Sequence, residues 1–595
     1  MALLALAGTK AGAQIGTGGL PLSMQAGRPS DNVPVTSGIL PDWDNGMKKW
    51  ESQSSAKPYL VALTTPLEVA FPNSGIMYTA ENGTRVWRSK INVDGAKALG
   101  LYYDNFQLPE GVKLYLSNAN GKQILGAYTA LNNDPSSFKF ATEAVQGGVI
   151  NLELDIEPAV DISGIKLHID RAAVYNRGIE YLQTYTGSDL QTIDAVDTAL
   201  TGRSSVCMIN AICPEGNNYA VQRNAAFQWL IQVGQGVGAC SATMINSLGN
   251  TTSNCKQYFL IASHCDGSNA TTNSAFNQVL LRYNFQHATC TPTGGNIPNT
   301  TRTLTGANFI ARSVIPSNPQ DIKGDFLLME ARSAIPESWN VNLAGWNNAA
   351  NIPLTQASPK KFIGFHHPGG DAKKVSSSQQ IQAYSLGAAN THWATVLAAG
   401  LAAEGSSGSA LFDGDGRIIG IASVAAVGQG VSASCGVDAL GNNVAGTTSN
   451  TVLYSKLAYD WDYNVDGSAS NRKLKPWLDP ANTGATTIDA VKSTCAPLSG
   501  GGTAITNENK LDEGIAVFPN PSGTGHVTLK LNLGAASDIY MDLFDISGKK
   551  INSYSLKKVS SGSFALDLSS YANGMYLLQL TDGYHTTSKK IMLAR

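Results

Sequence analysis

The stretch AEGSSGSALFDGDGRIIGIAS, from Ala403 to Ser423, decides the fold. Its second half has the alternating pattern of two short strands joined by the turn GDG, which predicts a β-hairpin. Its first half is a Gly-x-Ser-Gly bend around Ser407. Such a bend can present a serine side chain, while the main-chain N–H groups of Gly405 and Ser407 point to one side as an oxyanion hole. Taken alone, the motif fits a Gly/Ser loop between two strands slightly better than a nucleophile.

Two other segments carry the partners that a nucleophilic serine needs. In YFLIASHC a strand leads into His264, and in KGDFLLME Asp325 stands at the head of an apolar strand. We expect this carboxylate to be half-buried and to need a donor, which an imidazole N–H supplies. The order His264, Asp325, Ser407 is that of chymotrypsin-like double barrels, and not of subtilisins or α/β-hydrolases. The hairpin that follows Ser409 also argues against a strand-to-helix nucleophile elbow.

The composition limits the remaining classes of function. The chain has 595 residues, of which 43% are hydrophobic and 14% charged, with a net charge of −2. Several domains are expected, mostly all-β because turn residues such as glycine are abundant, and nucleic acid is not expected as a partner. No apolar run is long enough for a membrane span. The cysteines form no CxxC pair, and a calcium-like loop at 462–467 has Lys473 where glutamate is required. We therefore expect no metal, no cofactor and a monomer.

Composition shifts divide the chain into segments. All eight cysteines lie between residues 207 and 495, and an even number in an exported chain indicates disulfides. A short apolar run before Ala11-Gly12-Ala13 is typical of a truncated signal peptide; a misplaced start or a buried apolar segment is the alternative. The predicted segments are a signal peptide at 1–13, an N-terminal block at 14–203 with a β-sandwich-like region at 75–172, a cysteine-bearing central domain at 204–496, a linker at 497–510 and a β-sandwich at 511–595.

The central segment resembles the bacterial lysyl endopeptidase family of secreted, trypsin-like serine proteases. The resemblance covers nearly all of it, in the right order. The matching pieces are CMINAICPEG (207–216), ACSATMIN (239–246), YFLIASHC (258–265), RYNFQHATC (282–290), GDFLLME (324–330), AGWN (344–347), GFHHPGGD (364–371), HW (392–393), GSSGSALFD (405–413) and WLDPANTGA (477–485).

The resemblance implies a chymotrypsin-like double six-stranded β-barrel and a role for each site residue. His264 is the general base, Asp325 orients it, Ser407 is the nucleophile, and the N–H groups of Gly405 and Ser407 hold the oxyanion. The strand edge that binds substrate corresponds to Ser423, Val424 and Ala425, with Ser423 close enough to hydrogen-bond Asp325. The family's three disulfides correspond to Cys207–Cys435, Cys213–Cys290 and Cys240–Cys265, which leaves Cys255–Cys495 as a guess.

The primary specificity pocket departs from the family. The acid that binds lysine in the family corresponds to a position near Val452, and the acid of ordinary trypsins corresponds to Leu401, so neither position carries a carboxylate. A lysine ammonium would lose several kcal/mol to desolvation in such a pocket. We therefore expect a neutral or apolar residue at the cleavage position. The alternative is lysine specificity through Asp438, which lies in a loop of uncertain length. Ser423 also replaces a histidine of the family.

The last 85 residues resemble the C-terminal sorting domain of the type IX secretion system. The motifs that carry this resemblance are FPNP (518–521), DISGK (545–549), NGMYLLQL (573–580) and a basic end. They imply export across the outer membrane, followed by release or attachment to the cell surface. The partners are then the secretion machinery and protein or peptide substrates. A carbohydrate-binding or adhesion module is the alternative for this segment.

The N-terminal block then corresponds to a propeptide, with processing expected between Gly202 and Ser205. It would assist folding and restrain activity; a persistent substrate-binding domain is the alternative. For the whole chain, the sequence predicts a secreted serine endopeptidase with a zymogen form. The competing hypothesis is a catalytically silent surface adhesin that keeps the protease fold.

Overall fold

The structure is a computed structural model in which some segments are not described. It describes residues 16–25, 32–52, 57–176, 204–287, 290, 302–426, 435, 450–498, 514–546, 549–581 and 586–595. The chain divides into two compact units, Met1–Ala504 and Ile505–Arg595. The predicted signal peptide 1–13, most of the linker 497–510 and Asp438 lie outside the described residues.

The N-terminal block of the first unit is a β-sandwich. Its elements are α1 (Leu22–Gln25), β1 (Val35–Ser37), α2 (Trp43–Glu51), β2 (Tyr59–Ala70), β3 (Ile76–Thr79), β4 (Arg85–Asn92), β5 (Ala98–Gln107), β6 (Val112–Ser117), β7 (Ile124–Tyr128), β8 (Phe140–Ala141), β9 (Val145–Gln146), β10 (Val149–Ile156) and β11 (Lys166–Tyr175). One sheet has the order β1-β4-β10-β6-β7 with β3 on β4, and β2-β11-β5-β8 belong to a second sheet. Trp87, Tyr103 and Phe106 are among the fully buried side chains of its core.

The β-rich region begins earlier than the predicted residue 75. Strand β2 starts at Tyr59, and α2 precedes it with Asp42 as its N-cap. Strand β2 was missed because its first five residues are buried on both faces and therefore lack a two-residue alternation. This strand also connects the N-terminal block to the next domain, because it pairs with a strand of the central domain.

The first half of the central domain is a curved sheet. Its strands are β12 (Ile209–Asn210), which joins the second sheet, then β13 (Ala226–Val233), β14 (Gly236–Met244), β15 (Tyr258–Ile261), β16 (Leu280–Tyr283), β17 (Arg302–Thr305), β18 (Ala307–Arg312) and β19 (Leu327–Ala331). Pairing gives the order β17-β16-β13-β14-β15-β19-β18. The sheet is nearly closed into a barrel around an aromatic core that includes Phe227, Phe259 and Tyr283.

The second half is another, mostly antiparallel sheet, beside which β20 and β30 form a separate two-stranded sheet. Its strands are β20 (Asn342–Leu343), β21 (Trp346–Asn347), β22 (Phe362–His366), β23 (Lys374–Ser378), β24 (Gln382–Leu386), β25 (Ala388–Val396), β26 (Ala410–Phe412), β27 (Ile418–Ala426), β28 (Thr451–Lys456), β29 (Thr487–Ile488) and β30 (Val491–Lys492). The order is β12-β23-β22-β26-β27-β28-β25-β24. Strands β26 and β27 pair around the GDG turn, so the predicted hairpin is confirmed.

Helices are short throughout the described part of the central domain. The α-helices are α3 (Pro214–Asn217), α4 (Ala220–Ala225), α5 (Leu457–Trp461) and α6 (Lys475–Leu478). The 3₁₀ helices of the first unit are Ala130–Asn132, Ile162–Gly164, Ser263–Asp266, Asn273–Phe276, Pro319–Asp321, Glu337–Trp339, Pro368–Gly370 and Ser470–Arg472. In the part of the chain that the structure describes, no helix is both long and apolar enough to cross a membrane. The fold is all-β, as predicted.

Four disulfides cross-link the central domain. They join Cys207 to Cys435, Cys213 to Cys290, Cys240 to Cys265 and Cys255 to Cys495. The first three are the pairs that the sequence resemblance implied, and the fourth is the guessed pair. Each closes a loop of the unfolded chain and contributes about 2–4 kcal/mol to stability.

The second unit is a separate antiparallel sheet with its own core. Its strands are β31 (Ile515–Phe518), β32 (His526–Phe544), β33 (Lys550–Asp567), β34 (Gly574–Thr581) and β35 (Thr586–Leu593). The order is β31-β32-β34-β35, and β33 pairs with β32. Apolar residues of alternate positions, such as Val527, Leu529 and Leu531, are buried together. The alternation predicted from the sequence of this segment is therefore present.

Candidate active site

His264 is held on a rigid turn at the end of β15. The 3₁₀ helix Ser263–Asp266 carries it, and the disulfide between Cys240 and Cys265 ties this turn to β14. The guanidinium of Arg312, which is fully buried, forms an ion pair with Asp266 and donates to the main-chain oxygen of Ser263 over 2.8 Å. Neighbours on both sides of His264 are thus fixed, which restricts the imidazole.

Asp325 lies directly behind His264. The Oδ2 atom of Asp325 is 2.7 Å from Nδ1 of His264, and its Oδ1 accepts a hydrogen bond from the main-chain N of His264 over 3.1 Å. The hydroxyl of Ser423 donates to the same Oδ2 over 2.5 Å, which places Ser423 where the sequence predicted it. Asp325 is fully buried rather than half-buried. The reason is that β19, which begins two residues later, starts inside the core.

The pair is polarised by opposing electrostatic effects. Burial, the largest influence, acts to raise the pKa of Asp325, but the charge of His264 and the hydrogen bonds from His264 and Ser423 hold it below its usual value. Burial likewise acts to lower the pKa of His264, yet the carboxylate of Asp325 raises it above the ordinary value of 6.5. Asp325 is therefore ionised at neutral pH and favours a proton on Nδ1 of His264.

A second carboxyl group lies behind Asp325. The main-chain N–H of Asp325 donates to Oγ of Ser455 over 3.1 Å, and this hydroxyl donates to Oδ2 of Asp460 over 2.8 Å. Burial, the largest influence, and the nearby charge of Asp325 raise the pKa of Asp460 well above its usual range. The sequence analysis missed this chain of hydrogen bonds, although Ser455 stands three residues after Val452, which it assigned to the pocket.

The serine cluster forms a tight loop, which we call the nucleophile loop (residues 404–409). The main-chain N of Ser241 on β14 donates to O of Ser407 over 2.9 Å, and the hydroxyl of Ser241 donates to O of Gly405 over 2.8 Å. Gly408 has φ +84°, and a Cβ there would lie 2.9 Å from N of Ala262, next to the histidine turn. The loop is therefore clamped between β14 and the segment that carries His264.

The serines of this loop have different environments. Ser406 is buried, and its Oγ is 2.8 Å from Nδ1 of His366 and accepts from the main-chain N of Ala403 over 3.1 Å. Ser409 is also buried, whereas Ser407 is partly exposed. Ser407 is thus the member of the cluster that solvent and a substrate can reach.

Gly405 occupies a position that only glycine fits. Its φ is +90°, and a Cβ there would lie 2.7 Å from O of His367 and 3.1 Å from N of Gly370. Among the described residues, the main-chain N–H groups of Gly405 and Ser407 meet no hydrogen-bond acceptor. Two unpaired donors beside a partly exposed serine are the arrangement that an oxyanion hole requires.

The predicted substrate-binding residues lie on two strands. Val424 and Ala425 on β27 pair with Leu453 and Val452 on β28. Strand β26 pairs with β27 no further than Ile421, so in the described part of the chain no strand covers the other edge of residues 423–425. That edge is the one predicted to bind substrate main chain.

The pocket residues named from the sequence are apolar and largely buried. Val452 lies in a hydrophobic cluster with Ala402 and Trp393, and Leu401 is 8% exposed. Asp438, the alternative lysine-binding acid, lies outside the described residues.

The adjacent histidines His366 and His367 make separate, internal contacts. His366 bonds to Ser406, while Nδ1 of His367 is 2.9 Å from O of Asp371. Burial lowers the pKa of His366 to about 3 and holds that of His367 well below its usual value, so both are neutral. Within the described residues, no group of three or more His, Cys, Asp or Glu side chains could hold a metal ion.

Comparison with known families assigns two segments of the chain. Residues 201–442 match the family described as lysyl endopeptidase, C-terminal domain, and residues 516–594 match the secretion system C-terminal sorting domain. The sorting domain indicates type IX export to the extracellular space or cell surface. Both resemblances predicted from the sequence are confirmed.

Three of the solved structures that match this chain are serine proteases. The protease Anisep from Arthrobacter nicotinovorans is 11% identical, with a TM-score of 0.25, covering 40% of this chain and 91% of its own. The thermostable serine protease AL20 from an extremophilic microorganism is 11% identical, with a TM-score of 0.23, over 39% and 91%. The serine endoprotease from Yersinia pestis is 10% identical, with a TM-score of 0.22, over 64% and 96%.

Proposed function

We propose that this serine endopeptidase, which combines a lysyl endopeptidase domain with a type IX sorting domain, hydrolyses peptide bonds through His264, Asp325 and Ser407. The observation that carries the proposal is the contact of 2.7 Å between Nδ1 of His264 and Oδ2 of the fully buried Asp325. This contact holds the imidazole at Nδ1 and leaves Nε2 as the ring nitrogen that can accept a proton.

The reaction follows from these positions. Oγ of Ser407 attacks the scissile carbonyl carbon and transfers its proton to Nε2 of His264, and the oxyanion accepts hydrogen bonds from N–H of Gly405 and Ser407. His264 then gives the proton to the leaving amine, which departs and leaves an acyl-enzyme on Ser407. Water, deprotonated by His264, attacks the ester, and Ser407 regains the proton when the acid is released.

The rate should depend on pH through His264. A neutral imidazole is required as base, and the charge of Asp325 raises the pKa of His264. We expect kcat/KM for an uncharged peptide to rise as His264 loses its proton, with a midpoint above 6.5. The measurement is a pH profile from about pH 5 to about pH 9. A midpoint below 6.5 would mean that burial lowers the pKa of His264 more than the charge of Asp325 raises it.

We propose a neutral pocket for the residue on the acyl side of the cleaved bond. The apolar character of Leu401 and Val452 supports it, since an ammonium brought next to them would be desolvated without a counter-charge. Apolar or small residues should be preferred over lysine by at least ~100-fold in kcat/KM, equivalent to about 2.7 kcal/mol or more.

Digestion of a proteome-derived peptide library tests both the activity and the pocket. The processed protein is compared with Ser407→Ala and Asp438→Asn. Cleavage after apolar or small residues, absent in Ser407→Ala, is expected. Cleavage after lysine that Asp438→Asn removes would instead favour lysine specificity through Asp438. The absence of any Ser407-dependent cleavage would favour the silent adhesin.

The N-terminal block is proposed to be a propeptide. The first described residues of the protease, Ser204 and Ser205, are buried, and the hydroxyl of Ser204 donates to Oδ2 of Asp371 over 2.5 Å. If the chain is cut just before Ser204, the new N-terminus begins with residues that are already packed against the protease domain. N-terminal sequencing of the exported protein tests this; a first residue after Cys207 would contradict it.

A further inference from the structure

The N-terminal sandwich continues the sheet of the protease. Strand β2 pairs antiparallel with the first half of β14, with Tyr59 opposite Ala239 and Leu63 opposite Gly236. The second half of the same edge of β14 pairs with β15. The sandwich therefore adds a strand to the part of this β14 edge that β15 does not reach, which covers main-chain groups that would otherwise form an exposed sheet edge.

Apolar side chains close the junction. Tyr59, Tyr102 and Tyr175 of the sandwich share one buried cluster with Leu230 and Leu280 of the protease. The contact is close: a Cβ on Gly238 would lie 2.2 Å from Cγ of Pro58. Shared sheet and shared core are features of stable interfaces rather than of transient ones.

A buried ion pair crosses the same junction. Glu143 of the sandwich accepts from Nε and Nη2 of Arg282 on β16 over 2.9 and 2.6 Å, and from the hydroxyl of Thr303 over 2.8 Å. The two charged side chains are 10% and 4% exposed. A bidentate pair of this kind is directional, and removing one partner leaves a buried charge without compensation.

Arg282 connects this ion pair to the nucleophile loop. Its Nη1 donates to Oε1 of Gln228 over 2.5 Å, and Nε2 of Gln228 donates to O of Gly370 over 2.9 Å. Gly370 ends the turn 367–370, whose Gly369 N donates to O of Glu404 over 2.6 Å. Gly405, the next residue, packs against this turn. The contacts thus run from Glu143 to the proposed oxyanion donor without a break.

A stack of rings forms a parallel connection. The guanidinium of Arg282 lies 5.4 Å from the ring centre of Phe285, and Phe285 stacks on His367 with centroids 5.8 Å apart. The main-chain oxygen of His367 is the atom that a side chain on Gly405 would strike first. Two sets of contacts therefore connect Arg282 to the turn that supports Gly405, so a shift of Arg282 is expected to shift this turn.

We propose that the N-terminal sandwich remains a noncovalent partner of the protease after the chain is cut between them, and that Glu143 is a positioning residue for the nucleophile loop. The role of the loop in this inference rests on the proposed function. The sandwich then supports catalysis by holding Arg282, Gln228 and the turn 367–370 in place, rather than only restraining the enzyme before processing.

The first test is a full-length chain with a recognition site for a specific protease inserted between residues 177 and 203. After cleavage, the two pieces are expected to elute together in size-exclusion chromatography, and the complex that elutes is expected to be active. Separation of the pieces, with full activity in the piece that begins near residue 204, would overturn the proposal. Co-elution is scored independently of activity: if neither the cut complex nor the separated protease piece is active, the proposed function is refuted and the association is not.

The second test compares two ion pairs of the same junction. Asp134 and Arg332 also bridge the sandwich and the protease, but Arg332 otherwise contacts Asn277, Asn308 and the main chain of Asn273 rather than the turn 367–370. Glu143→Gln is expected to lower kcat by about 10- to 100-fold with KM within threefold, because a small displacement of catalytic groups has effects of this size. Asp134→Asn is the control and should leave kcat within twofold.

Thermal unfolding of both variants separates positioning from stability. Each loses one ion pair of the junction, so both melting temperatures should fall, and kcat should fall only in Glu143→Gln. Equal kcat values for the two variants, or a loss confined to KM, would overturn the positioning role of Glu143.

Discussion

Replacing Ser407 with alanine is expected to reduce kcat by about 10⁶-fold while leaving the protein folded. The change removes the atom that forms the acyl-enzyme, and the partly exposed Ser407 side chain supports no part of the core. The loop itself is held by main-chain atoms of Ser407 and Gly405, which alanine preserves. The measurement is steady-state hydrolysis of a peptide substrate, together with a melting curve to show that the fold is retained.

The matched control for this variant is its neighbour. In Ser406→Ala the hydroxyl between His366 and Ala403 is lost, which should destabilise the loop without removing the nucleophile. We expect Ser406→Ala to keep at least about 1% of the wild-type kcat, far above the residual rate of Ser407→Ala. If the losses were reversed, Ser406 would be the nucleophile and the assignment of the loop would be wrong.

The second large effect is expected for Asp325→Asn, which should lower kcat by about 10⁴-fold near neutral pH. The amide can donate a hydrogen bond to Nδ1 of His264, which moves the imidazole proton to Nε2 and blocks it as a base. The contact of 2.7 Å between Asp325 and Nδ1 makes this tautomer effect direct. The measurement is kcat from about pH 6 to about pH 10, where the loss should persist as long as the wrong tautomer dominates.

A buried carboxylate remote from the triad controls for loss of charge in the core. Oδ1 and Oδ2 of Asp479 accept from the main-chain N of Thr483 and Gly484, and Asp479 is 2% exposed. Asp479→Asn should lower the melting temperature without a comparable loss of kcat. If Asp325→Asn kept more than about a tenth of the wild-type kcat, Asp325 would not set the tautomer of His264.

Asp325 also affects stability at acid pH. Its folded-state pKa lies below its ordinary value of 3.8, so its ionised form stabilises the native state above that value. This contribution is lost as the pH falls through the lower, folded-state pKa. The acid-induced unfolding of Asp325→Asn should therefore depend less on pH in this range than that of the wild type.

The order and spacing of a few polar residues were enough to predict the central part of the fold. His264, Asp325 and Ser407 each stand beside a strand with a clear apolar pattern, and such local patterns survive in a single sequence. The hairpin after Ser409 could be predicted for the same reason, whereas the hydrogen bond from Ser423 to Asp325 followed from the resemblance to the protease family.

Long-range contacts that the family resemblance did not supply were not predicted. The first five residues of strand β2 have no alternation because both faces are buried there, one of them in a cluster that includes Leu230 and Leu280 of the protease. The partners Glu143 and Arg282 are 139 residues apart, and neither stands in a recognisable motif. The clamp of Ser241 on the nucleophile loop also joins segments about 160 residues apart, so no local signal marks it.

Labelling of the processed protein with a fluorophosphonate probe tests the central claim most directly. The probe reacts with a serine only when a neighbouring base and an oxyanion hole activate it. The account predicts one probe per chain, mapped by mass spectrometry to Ser407 rather than to Ser406 or Ser409, and no labelling of Ser407→Ala. A folded, processed protein that remains unlabelled, or that is labelled at another serine, would contradict the account.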